Sequence, residues 1–194
     1  MASADSVRLG AVIYRQGFPI DGLLTRVTDL LREEGVDVGG VIQENGSQTS
    51  ACAAMTVVDL ASQRRFHISQ ELGKQAKGCR LDARGLADIA ALLERSLTRK
   101  TEILVLNKFG RAEAEGHGLR EAIGRAIDAG IPIVTAVRPP YTDAWSAFHG
   151  RLATDLTPDL DAVLTWCRES VYALRRHPMR RLPAAEDAMS VHHE

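Results

Sequence analysis

The stretch Val7-Arg8-Leu9-Gly10-Ala11-Val12-Ile13-Tyr14-Arg15-Gln16-Gly17-Phe18-Pro19-Ile20-Asp21-Gly22-Leu23-Leu24 decides the fold. Its first part, Val7 to Tyr14, is a short apolar run with β-branched residues, and reads as a buried strand. Arg15 to Gly22 follows as a loop with two glycines and a proline. Beyond it Leu23, Leu24, Val27, Leu30 and Leu31 keep helical spacing, and Gly35 is a natural stop. Val36 to Ile42 reads as a second strand. Strand, glycine loop, helix and strand in this order open an α/β fold.

The pattern continues outward from this unit. Met55 to Leu60 and Arg65 to Ile68 read as a hairpin around Ala61-Ser62-Gln63-Arg64. Asp82 is a good N-cap for a helix to about Leu97, with Leu86, Ile89, Ala90, Leu93 and Leu97 on one face. Thr101 to Leu106 is a further buried strand, followed by a polar loop from Asn107 to His117. Gly118 to Ala129 reads as a helix, Ile131 to Val137 as a strand and Thr142 to Phe148 as a short helix. Thr157-Pro158-Asp159 is a helix-start signal for a last helix to about Leu174. The expected architecture is a three-layer α/β domain, with a mainly parallel sheet and helices on both faces. It spans residues 1–174, with a flexible tail over 175–194. Ligands of such folds sit at the carboxyl ends of the strands, where the loops Arg15–Gly22, Asn107–His117 and Arg138–Tyr141 should meet.

Composition excludes several classes. Of 194 residues, 24 are Lys or Arg and 25 are Asp or Glu, a net charge of −1, which argues against a nucleic-acid binder. No apolar run approaches the ~18 residues of a membrane span, and the first residues lack the basic-then-apolar pattern of a signal peptide. The cysteines Cys52, Cys79 and Cys167 are odd in number and widely spaced, which disfavours a disulfide scaffold and fits a reducing cytoplasm. Cys167, beside Trp166 on the last helix, reads as core. A metal or redox site of Cys52, His67 and Cys79 lacks the spacing of a zinc knuckle, so no metal site is expected.

The first loop matches half of a motif. A P-loop reads G-x-x-x-x-G-K-[ST] between strand and helix; its lysine reaches the β- and γ-phosphates and its hydroxyl binds Mg²⁺. Gly17 and Gly22 have the spacing, but Leu23 and Leu24 stand at the lysine and hydroxyl positions. Asp21 adds a negative charge beside the cradle, while Arg15 offers a cation from the strand end. Backbone amides at the helix start still suit an anion. The second buried strand, Ile103-Leu104-Val105-Leu106, ends in Asn107-Lys108 where a P-loop enzyme places an Mg²⁺-holding Asp. Both Mg²⁺-associated positions are therefore changed together. Lys108 and Arg111 are candidates to replace the missing lysine, and Glu113 or Glu115 to act as a base. The plain alternatives are a structural glycine loop and a solvated charged loop.

Three segments carry a family resemblance: Arg15–Gly22; Ile68-Ser69-Gln70-Glu71-Leu72-Gly73 with Gly78-Cys79-Arg80-Leu81-Asp82; and Leu106-Asn107-Lys108-Phe109-Gly110 with Glu113-Ala114-Glu115-Gly116. Together they resemble the bacterial domain of unknown function 2478 over roughly residues 8 to 170. That family looks like a relative of P-loop nucleoside triphosphatases with an Asp-Glu-x-Gly-x-x-Glu motif after the second buried strand. On that pattern Gly110 and Glu113 match, whereas Asn107 and Lys108 depart. The resemblance also associates the chain with molybdate uptake, which would suit an oxyanion-binding or regulatory role.

The expected function is binding of a nucleotide or small oxyanion at a degenerate P-loop, with little or no Mg²⁺-dependent hydrolysis. Arg15, Gly17, Asp21, Gly22, Asn107, Lys108, Gly110 and Arg111 would form the site, with Glu113 as catalytic base if hydrolysis survives. The alternative is a non-enzymatic regulatory or interaction protein with a vestigial site and a protein partner. No cofactor and no oligomeric state follow from the sequence.

Overall fold

The computed structural model describes residues 8–45, 55–67, 69–70, 80–81, 89–94, 97 and 100–176. The chain runs β1 (Leu9–Ile13), α1 (Ile20–Glu33), β2 (Val38–Asn45), β3 (Met55–Asp59), β4 (Arg65–His67), β5 (Ser69–Gln70) and β6 (Arg80–Leu81). A helical stretch over residues 89–94 is α2. There follow β7 (Ile103–Leu106), α3 (Arg111–Ala114), α4 (Arg120–Asp128), β8 (Ile133–Val137), α5 (Thr142–His149), β9 (Ala153–Leu156) and α6 (Leu160–Arg176).

The main sheet has seven strands in the order β4-β3-β2-β7-β8-β1-β9. β2, β7, β8, β1 and β9 are parallel neighbours, and β3 and β4 extend the sheet antiparallel from β2. β1 therefore lies between β8 and β9: the connection from β1 runs to β2 on one side, and the one from β8 crosses to β9 on the other. Such a switch point leaves a crevice at the carboxyl ends of the strands.

The strands alternate between two cores, which is why their sequences read as continuous apolar runs. Val12, Ile103, Val105, Val134 and Ala136 face α1 and α6, with Leu24, Leu31, Val163 and Val171. Leu9, Leu104, Leu106, Ile133 and Val137 face the opposite way, with Ile89, Leu93, Ile123 and Trp145 from α2, α4 and α5. Each fully buried aliphatic side chain contributes roughly 1.5–3 kcal/mol, so β1, β7 and β8 anchor the domain. Close approach is built in at Gly40 of β2 (φ +111°), where a Cβ would stand 2.1 Å from the Val105 carbonyl oxygen. The three layers and the mainly parallel sheet are those expected. Among the described residues no helix is long and apolar enough to cross a membrane.

Several elements differ from the sequence reading: β2 runs on past Ile42 to Asn45, and a short helix, α3, stands inside the expected loop Asn107–His117. α1 begins at Ile20, three positions earlier than its apolar spacing suggests. Ile20 is itself buried in the core, and Asp21 complements the positive helix start. Gly22 consequently lies inside the first turn, and the connecting loop is residues 14–19 alone. A further difference is β9, an edge strand with Thr154 and Asp155 exposed, which lacks a buried apolar run. The end of α6 falls at Arg176, and the expected tail beyond it lies outside the described residues, as do Cys52 and Cys79.

Candidate functional site

The carboxyl ends of β1, β2, β7 and β8 bring four polar segments together. Leu106 ends β7 inside the core, and Phe109, 1% exposed, plugs the chain back into it. The Phe109 ring packs on Trp145 at 5.1 Å and on Phe148 at 5.6 Å, while its N–H donates to the Ala136 carbonyl at 2.9 Å. Asn107 and Lys108 are thus held between two buried anchors at the sheet edge.

Lys108 reaches across the crevice to α1. Its Nζ lies 2.9 Å from Asp21 Oδ1 and 3.3 Å from Oδ2. The same ammonium donates to Gln43 Oε1 at the end of β2, at 3.3 Å. Asn107 Nδ2 donates to that oxygen too, at 3.1 Å. Asn107 Oδ1 is buried and has no donor among the described residues. The side chains of Lys108 and Asp21 are 27% and 16% exposed, so this ion pair is largely shielded from water. A pair this shielded feels a lower dielectric than one on the surface.

A second pair lies beside the first. Tyr14 follows β1 and is 6% exposed, with its N–H on the Val137 carbonyl at 3.0 Å. Arg138, just past β8, lies close enough for its charge to act on the Tyr14 phenol. Burial pushes the Tyr14 phenol above its ordinary value; the Arg138 charge opposes that shift and the Asp21 charge adds to it. The Arg138 guanidinium also lies over the Tyr141 ring at 5.9 Å and donates to the Pro139 carbonyl at 3.1 Å.

The remaining expected residues divide between the site and its rim. Gly17 adopts φ +89° in the turn Arg15–Phe18, where the Phe18 N–H donates to the Arg15 carbonyl at 3.1 Å. The Arg15 side chain is exposed. Arg111 is 79% exposed and turns to Glu115, 2.7 Å away, so it does not join Lys108. Glu113 is 6% exposed. Its Oε2 accepts from the Gly110 N–H at 3.0 Å and its Oε1 from the Leu119 N–H at 3.0 Å. The carboxylate fastens the loop between β7 and α4, and Gly110 supplies one of its two anchors. Gly118 (φ +67°) makes room for it, since a Cβ there would stand 2.1 Å from Glu113 Oε1.

Gln43 and Tyr14 were not among the residues expected at the site, and Arg138 was named only within its loop. None belongs to a local motif. Tyr14 and Arg138 sit one position past β1 and β8 and Gln43 lies in the last part of β2, so only the strand order makes them neighbours.

Comparisons with known proteins bear on this arrangement. Over 176 residues the chain is 35% identical to the molybdenum import ATP-binding protein ModC 2 of Bradyrhizobium diazoefficiens, a match covering 90% of this chain and 20% of that protein. The chain therefore spans about a fifth of the length of that relative. It is 28% identical over 132 residues to the nucleoside-triphosphatase THEP1 of Methanopyrus kandleri, covering 63% of this chain and 69% of that one. The solution structure of a human cancer-related nucleoside triphosphatase superimposes with a TM-score of 0.61 at 16% identity, covering 88% of this chain and 97% of that chain. The fold is thus that of the P-loop nucleoside triphosphatases. The family model described as "Protein of unknown function (DUF2478)" matches residues 9–166, and the chain belongs to that family.

Proposed function

We propose that the chain binds a phosphate-containing ligand or a small oxyanion at the carboxyl edge of β1, β7 and β8, without standard Mg²⁺-dependent hydrolysis. One observation carries this reading. Lys108 Nζ reaches the first turn of α1, 2.9 Å from Asp21, and so brings an ammonium to the loop whose own lysine position is Leu23. The cation comes from the end of β7, two strands across from β1, instead of the glycine loop. Asn107 Oδ1 beside it, without a donor among the described residues, supports a ligand or water that supplies a hydrogen. The printed names of the relatives, an ATP-binding protein and a nucleoside triphosphatase, support the ligand class.

The donor set does not fit a catalytic Mg²⁺. That ion needs hard oxygen ligands, usually a carboxylate. Leu24 and Asn107 stand at the two Mg²⁺-associated positions, and Asp21 is tied to Lys108. Among the described residues no group of three or more His, Cys, Asp or Glu is arranged to hold a metal. Glu113 serves as a loop anchor in this reading, because both its oxygens accept backbone N–H groups.

A thermal-shift screen with nucleotides, phosphate, sulfate and molybdate, each with Mg²⁺ and with chelator, tests the reading. Ligand at a hundred times its Kd adds about 2.7 kcal/mol, which raises Tm by roughly 5–10 °C in a domain of this size. The expected shift persists in chelator and disappears in Lys108→Ala. A second reading rests on the ModC 2 match, in which four-fifths of the relative lies outside the aligned part. A domain like this one can travel in the same chain as an importer's ATP-binding protein. On that reading this chain docks on such a protein, and co-purification of the two at fixed stoichiometry, with no anion-induced shift, supports it.

A further inference from the structure

We infer that Arg138 is the second cation of the anion site, and that Asp21 is an internal anion which the ligand displaces. This rests on the reading that Lys108 binds the ligand. Lys108 and Arg138 follow β7 and β8, which are adjacent parallel strands. Neighbouring strands lie about 4.8 Å apart, a span that one tetrahedral oxyanion bridges. Asp21 and Tyr14 lie beside the two cations. Asp21 holds Lys108 at 2.9 Å, and the charges of both Asp21 and Arg138 act on the Tyr14 phenol.

Each part has a separate physical role. Tyr14 is a peg: 6% exposed and fixed by its backbone bond to Val137, it gives the guanidinium a rigid partner. A guanidinium has several donors in a planar fork, so its bond to the Pro139 carbonyl uses only part of the set. Asp21 balances one of the two cations while no ligand is bound. An incoming oxyanion takes over Lys108 from the Asp21 carboxylate and gains Arg138 as well. The class of ligand that fits is a tetrahedral oxyanion or a terminal phosphoryl group without bound metal. Asp21 lowers the affinity for all such anions, because each must first break the ion pair.

The test is calorimetric titration of sulfate at low ionic strength into the wild-type chain and five variants, Lys108→Ala among them. Arg138→Ala should weaken binding about tenfold or more, the ratio carried by one charge-assisted hydrogen bond. Arg138→Lys should recover only part of that loss, because an ammonium lacks the fork. Asp21→Asn should tighten sulfate about tenfold, and Tyr14→Phe should weaken it about threefold. Far-UV dichroism and Tm of each variant establish that it is folded. Wild-type affinity in Arg138→Ala, or no tightening in Asp21→Asn, overturns this inference. If Lys108→Ala abolishes binding in that same series, the underlying reading survives its failure. If neither wild type nor Asp21→Asn binds sulfate, the underlying reading falls with it.

Discussion

Lys108 Nζ and Asp21 Oδ1, 87 residues apart in sequence, meet at 2.9 Å across the carboxyl edge of the sheet. The contact joins the end of β7 to the first turn of α1, over the intervening strand β8. It is the structural counterpart of two losses read in the sequence, the missing lysine at Leu23 and the reversed charge at Lys108. One substitution removes a cation from the loop and the other returns one from the opposite side.

The pair should show measurable coupling. In a double-mutant cycle with Lys108→Met and Asp21→Asn, urea denaturation should give an interaction energy of about 1–2 kcal/mol, above that of most exposed pairs. Most of it should survive in 1 M salt, because the partners are largely shielded (27% and 16% exposed). A value indistinguishable from zero would mean that the two side chains do not pair in solution.

Glu113 should matter for stability more than for chemistry. Glu113→Ala strips the Gly110 and Leu119 N–H groups of their acceptors, a loss of about 2–4 kcal/mol for one half-buried and one buried donor. Gly118→Ala should cost a similar amount, about 2–4 kcal/mol, because it adds a clash with Glu113 Oε1 to a positive φ. Chemical denaturation measures both. Glu113→Gln keeps the acceptor on one side, and should retain anion binding. Loss of binding in a folded Glu113→Gln chain would argue that this carboxylate touches the ligand.

Much of this was legible in the sequence, for reasons that differ by element. β1, β7 and β8 are buried on both faces, so their apolar runs stand out, and Gly17 marks its turn by composition alone. Asp21 was visible as a charge hostile to phosphate, but its partner was not, since the pairing depends on where β7 falls in the sheet. Gln43 and Tyr14 were invisible for the same reason. β9 escaped because an edge strand with exposed Thr154 and Asp155 carries no apolar signal. The start of α1 was set late because the glycine spacing suggested an open loop to Gly22, whereas burial of Ile20 extends the helix back.

The link between α1 and α6 should weaken in acid. Arg168 donates to Glu34, and that hydrogen bond holds the Glu34 carboxyl below its ordinary value. A lowered folded-state value means that the unfolded chain takes up the proton first. The stabilisation is then complete above the ordinary carboxylate range, and is lost as pH falls through the folded value. Because both side chains are over a third exposed, the effect is small and salt-screened. The stability difference between wild type and Arg168→Ala should therefore shrink below about pH 4 and in high salt. A difference that grows in acid would contradict the assignment.

Cys167 should be inert in the folded chain. It is fully buried in α6, and burial pushes its thiol up to about 12. Thiolate is the reactive form. Peptide mapping after alkylation at neutral pH should find Cys167 unmodified in native protein and modified in urea. Rapid native labelling at Cys167 would show that α6 opens.

The central claim is that Lys108 supplies the cation of a metal-independent anion site. Calorimetric titration of ATP, phosphate and sulfate into wild-type and Lys108→Ala protein, in chelator and then in Mg²⁺, tests it most directly. The account predicts that at least one anion binds the wild-type chain equally well with and without Mg²⁺, and that binding falls at least tenfold in Lys108→Ala. Binding that requires Mg²⁺, or that is unchanged in a folded Lys108→Ala chain, would contradict it.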